Sequence, residues 1–144
     1  MADSFGYLFL LSRRFEYITD RVLKEDGLTT KQLLVLIGIG SGFTEPPSVS
    51  QVAELLSTSH QNVKAMANNL EKMGFVKMVR DEKDKRKWLL TLTPKNQEYW
   101  ESRFQKHSAA MLSLFESLTP SEVRQFQSLV QKLIEGTEEI YRNS

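Results

Sequence analysis

The chain has 144 residues, of which 40% are hydrophobic and 26% charged, a balance that fits one globular subunit and is too apolar for wholesale disorder. It contains no cysteine, which excludes disulfide frameworks, thiolate zinc sites, cysteine nucleophiles and thiol redox sensing. The formal charge of +1 hides an asymmetry: residues 60–90 carry eight Lys or Arg against four Asp or Glu, while the remainder is mildly acidic. Such a segment reads either as a patch facing a polyanion or as an ordinary solvated surface.

In chain order, Leu8, Leu11, Phe15, Ile18 and Val22 alternate steps of three and four, which predicts an amphipathic helix over 5–25. Thr29 with Gln32 forms a capping box ahead of an apolar run, predicting a helix over 30–39 that ends at Gly40-Ser41-Gly42. After a loop through Phe43–Pro47, Ser48 with Gln51 opens a short helix expected to bury Val49, Val52, Ala53, Leu55 and Leu56. Ser59 caps a helix over 60–73 that stops at Gly74, with Val63, Met66, Ala67 and Leu70 on its apolar face.

Two apolar runs, 75–80 and 88–92, surround a charged tip and predict a β-hairpin. Thr93-Pro94 starts a long helix expected to bury Trp100, Phe104, Met111, Leu114, Phe115 and Leu118. Thr119-Pro120-Ser121-Glu122 starts the last one, whose stripe is Val123, Phe126, Val130, Leu133, Ile140 and Tyr141. No apolar run reaches 18 residues and the N-terminus lacks a signal-peptide layout, so a cytoplasmic protein without a membrane span is expected.

Three helices followed by a two-stranded hairpin is the winged helix-turn-helix order. A short helix braces the next, whose exposed face fits the DNA major groove while the hairpin reaches the flanking backbone or minor groove. Helix-turn-helix units also serve as plain scaffolding, so a protein-interaction module without sequence-specific DNA binding is the alternative.

The stretch Leu28–Thr93 resembles the multiple-antibiotic-resistance regulator (MarR) family of transcription factors. The matching residues are Leu28-Thr29-Thr30-Lys31-Gln32 with Val35-Leu36, then Val52-Ala53-Glu54-Leu55-Leu56, Ser59 to Lys64 and Leu70 to Val76. The most specific piece is the wing: Arg80, Asp81, Asp84-Lys85-Arg86 and Leu90-Thr91-Leu92-Thr93. Ala65 and Asn96 stand where that family often has Arg and Gly. The resemblance implies a mainly α fold, with a winged unit over 29–93 between dimerisation helices over 1–28 and 94–144. It further implies a homodimeric regulator, a repressor by preference, and a small aromatic or lipophilic effector between helices 1, 2 and 5 and the winged unit.

The candidate DNA-binding residues follow from chemistry. The amides of Gln61 and Asn62 suit adenine edges, and Lys64 suits guanine or phosphate. Ser59 is first a cap that can also offer a phosphate contact, His60 either touches phosphate or is simply solvated, and Asn68 is partly exposed with phosphate in reach. Arg86, at the hairpin tip, suits the minor groove, with Arg80, Lys85 and Lys87 adding charge. Asp84 would repel phosphate; the resemblance implies a structural acid that pairs with an arginine and shapes the wing. The two histidines, His60 and His107, make no metal set, and no catalytic motif or cofactor cradle is present. The expected partners are double-stranded DNA carrying a near-palindromic operator and a second copy of the chain.

Overall fold

The computed structural model describes residues 2–143. Helix α1 (Ala2–Leu23) runs into a 3-10 turn (Lys24–Asp26) closed by Gly27 at φ 70°, a left-handed position that suits glycine. The chain then reverses into α2 (Thr30–Ser41), whose start is tied back to α1 by Thr30: its N–H donates to Asp20 Oδ1 at 2.6 Å and its hydroxyl to the Glu16 carbonyl at 3.1 Å. Next come α3 (Val49–Leu55), α4 (His60–Lys72), β1 (Val76–Arg80), β2 (Trp88–Leu92), α5 (Pro94–Ser113) and α6 (Pro120–Arg142). The predicted elements are all present. The capping boxes at Thr29, Ser48 and Thr119 form as read, each with reciprocal bonds to the residue three positions on.

The chain divides into two compact units within α5, one up to Arg103 and one from Phe104 onward. The first holds the core: Val35, Val52, Val63, Ala67, Leu70 and Leu90 are sealed from solvent, with Leu23, Val49 and Val76 almost as deep. In it α4 packs against α2, α3 and β1 through Val63, Ala67 and Leu70 and leaves its polar side open to solvent. β1 and β2 pair antiparallel from Val76↔Leu92 to Arg80↔Trp88. Ser48 adds an isolated bridge to Leu89, and Leu90 N–H donates to the Pro47 carbonyl at 2.8 Å, so the wing's base is fastened to the start of α3.

Three expectations are corrected. Helix α2 continues past residue 39 to Ser41, because Gly40 keeps helical geometry and the real constraint falls at Gly42. A Cβ there would lie 2.6 Å from the Gly38 carbonyl oxygen and 2.7 Å from Leu55 Cδ2, so only glycine lets α3 approach. Leu55 itself, expected in the core, is 49% exposed: it lies along this glycine seam rather than beneath it. Phe104 and Leu118, read as buried, are exposed in the single chain, as are Phe5 and Phe9 of α1; Leu133, Ile140 and Tyr141 of the α6 stripe are exposed as well. Asn96 is buried and accepts the Trp100 indole N–H at 3.0 Å, a use for its side chain that a glycine would lack.

Candidate nucleic-acid interface

Ser59 caps α4, its hydroxyl accepting the Asn62 N–H at 3.1 Å, which fixes where the helix begins. From there, at about 100° per residue, Val63, Ala67 and Leu70 turn to the core while Gln61, Ala65 and Asn68 fall opposite them and Lys64 lies at one flank. All four of the latter are exposed. Asn62 sits at the flank and spends one amide N–H on Thr58 Oγ1 at 3.2 Å, which turns it back toward the cap. His60 lies exposed in the first turn. The helix-turn-helix turn contains Ser57 at φ 50°, the one non-glycine residue in the left-handed region among those described.

The wing tip is folded by its acids. Asp81 Oδ1 accepts the Lys83 N–H at 2.8 Å, Lys87 N–H donates to the Asp84 carbonyl at 2.9 Å, and Asp81 N–H to the Lys87 carbonyl at 3.1 Å. Asp84 also takes both ends of Arg86: Nε at 3.1 Å to Oδ1 and Nη2 at 3.2 Å to Oδ2, with Arg86 N–H on Oδ1 as well. The Arg86 side chain, and secondarily its backbone N–H, hold the Asp84 carboxyl below the usual carboxylate range. Two of the five guanidinium N–H groups are used, leaving three donors on a side chain that is 91% exposed. Asp84 therefore aims Arg86 without consuming it.

Arg80 has a different position from the other basic residues grouped with it. Its Nη1 donates to the Lys85 carbonyl at 2.7 Å, and its guanidinium carbon lies 4.0 Å from the centre of the Trp88 ring, directly across the strand pair. This makes Arg80 first a brace of the wing, in the same role as Asp84. Lys85, Arg86 and Lys87 remain exposed at the tip. Glu71, which the sequence reading did not single out, accepts the Met78 N–H at 2.8 Å on the side of β1 away from β2, tying α4 to the wing. Its only sequence signal is an acid in a basic segment, which an ordinary solvated charge would also give. No group of three or more His, Asp or Glu side chains that could hold a metal is found among the described residues.

Two exposed surfaces, one helix face and one hairpin tip, are thus carried on one core with their cations outward and their acids turned to backbone duty. That arrangement defines a winged helix-turn-helix protein. The family of the transcriptional regulator SarA/Rot matches residues 17–103, and this chain belongs to it. The HTH-type transcriptional regulator BilQ of Clostridium symbiosum is 32% identical over 140 residues, covering 92% of each chain. The transcriptional activatory protein BadR of Rhodopseudomonas palustris is 34% identical over 82 residues, 56% of this chain and 47% of BadR, so the match spans about half of that protein. A MarR protein from Peptoclostridium difficile has the same fold, with a TM-score of 0.83 at 23% identity over 98% of this chain and 91% of the other. The fold is the MarR type that the wing and helix motifs pointed to, and the relatives carry the names of transcriptional regulators.

Proposed function

We propose that this chain acts in the cytoplasm as a homodimer that binds a near-palindromic operator in double-stranded DNA and represses transcription by covering it. The observation that carries this reading is the outward side of α4, where Gln61, Lys64 and Asn68 stand exposed on a helix whose other face is buried in the core. Gln61 reads base edges, Asn62 adds a base-edge contact once its side chain leaves Thr58, Lys64 and Asn68 take a base edge or phosphate, and Ser59 and His60 take phosphate at the helix start. Arg86 enters the flanking minor groove, while Lys85 and Lys87 contact its phosphates.

The dimer is supported by apolar surface that one chain leaves open. Phe5, Phe9 and Tyr17 on α1 are 62–65% exposed, and Leu129, Leu133 and Ile134 on α6 are 55–59% exposed. A two-fold partner would cover such stripes and set two copies of α4 about one helical turn apart. A small aromatic effector would bind in the open groove lined by Asp26, Met73, Phe75, Lys95, Tyr99 and Arg103, where rings and charged side chains stand together. It would release the operator by changing the spacing of the two winged units.

Binding of fragmented genomic DNA to the purified protein at physiological salt, followed by sequencing, tests the reading. A shared inverted repeat among the retained fragments is the expected result. Retention without sequence selection, or none at all, would instead favour a protein-interaction module.

A further inference from the structure

Along the first turns of α5, Lys95, Tyr99 and Arg103 are four residues apart and form one stripe. Tyr99 Oη donates to Asp26 Oδ2 at 2.8 Å, and Arg103 Nη2 to Asp26 Oδ1 at 2.6 Å. Asp26, in the elbow between α1 and α2, is 5% exposed at its side chain, so it accepts both bonds out of solvent. Burial first, and the bond to Asp26 second, push the Tyr99 phenol well above its ordinary range, so it stays a donor across the physiological range. The stripe is therefore pinned at its far end by two bonds to a buried carboxylate.

Its near end reaches the recognition helix. Lys95 Nζ donates to the Met73 carbonyl at 2.7 Å, the residue that closes α4. The lysine stem crosses Gly74, where an added Cβ would meet Lys95 Cδ at 3.1 Å, and the ammonium lies 5.7 Å from the Phe75 ring. Thr93 completes the clasp, its hydroxyl on the Gly74 carbonyl at 2.5 Å and its N–H on the Phe75 carbonyl at 3.1 Å. A cation at the negative end of a helix is also favoured by the helix dipole.

We propose that Lys95 is a positioning residue for DNA recognition, tying the C-terminal end of α4 to the α5 stripe anchored on Asp26 and so setting the angle at which the recognition helix meets the groove. The role rests on the operator-binding reading above. Lys95 touches no DNA in it; it acts through α4.

Two variants of the full chain separate this role from a phosphate contact, which would also need a lysine. Lys95→Met keeps the stem over Gly74 and removes the donor, while Lys95→Arg keeps a charged donor of similar reach. On the selected operator, Lys95→Met should weaken binding about threefold to tenfold with an unchanged salt dependence. Lys95→Arg should stay within about twofold of the unaltered protein. Wild-type affinity for Lys95→Met overturns the proposal, and so does a weakening accompanied by a salt slope lower by about one, the mark of a lost phosphate contact. Gln61→Ala, measured alongside, tells the two possible failures apart. If it relaxes sequence preference while Lys95→Met does nothing, only the positioning role falls; if neither has any effect, the reading of α4 as the recognition element falls with it.

Discussion

The segment from Leu28 to Leu92 and the terminal helices α1 and α6 are built from similar proportions of apolar residues but dispose of them differently. In the former the large aliphatic side chains of α4 and the wing's base, Val63, Leu70, Val76 and Leu90, are buried against one another. In α1 and α6 residues of the same kind, Leu8, Phe9, Leu129, Leu133 and Ile134, stay open to solvent. The winged segment closes its own core, whereas the terminal helices carry a stripe that needs a further surface.

The largest effect should come from breaking the open stripe. Leu129→Lys with Leu133→Lys, both exposed, should yield a folded monomer by sedimentation that binds the operator roughly a hundredfold more weakly, because two linked half-site contacts become one. Leu133 is the better probe than Phe126, which is half-buried and packs 6.2 Å from Phe115, ring centre to ring centre, so that its loss would disturb the folded chain. A monomer in the unaltered protein at micromolar concentration would erase the distinction between the two regions.

The closed core gives the next largest effect. Leu70→Ala should lower unfolding free energy by about 2–5 kcal/mol, read from denaturant titration, with no change in the dimer constant of the surviving folded protein. Arg86→Ala should leave the melting temperature in place yet weaken operator binding by about 1–3 kcal/mol. Equal affinity for variant and parent would take the wing tip out of the interface.

Smaller still is the turn before α4. Ser57 sits at φ 50°, and Ser57→Gly should stabilise the fold by about 1 kcal/mol in thermal melts by relieving its left-handed backbone. The smallest effect concerns pH. Since the Asp84 carboxyl titrates lower in the folded wing than in the unfolded chain, its contribution is complete above the ordinary carboxylate range and fades only as pH falls through the lowered value. Amide signals of Arg86 and Lys87 should therefore hold steady from about pH 5 upward and shift only in stronger acid. Movement near neutral pH would mean that something else holds the wing tip.

What the sequence by itself determined here was carried by short-range chemistry. The caps at Thr29, Ser48, Ser59 and Thr119 each join residues three apart, and Gly74 at φ 82° closes α4, so those helix boundaries were legible in the order of residues. The outward face of α4 was legible too, because a helix period converts spacing directly into direction. The tertiary structure alone decided what distant residues do to one another. Tyr99 and Arg103 meet Asp26 across 73 and 77 positions, Lys95 meets Met73 across 22, and Glu71 meets the outer edge of β1. Nothing in local spacing marks a lysine that will cap another helix, or an arginine such as Arg80 that will lie on a tryptophan across a strand pair. The same holds for exposure: amphipathic spacing says that Leu133 and Phe126 share a stripe, but only packing decides which is covered by its own chain, because burial depends on what stands opposite.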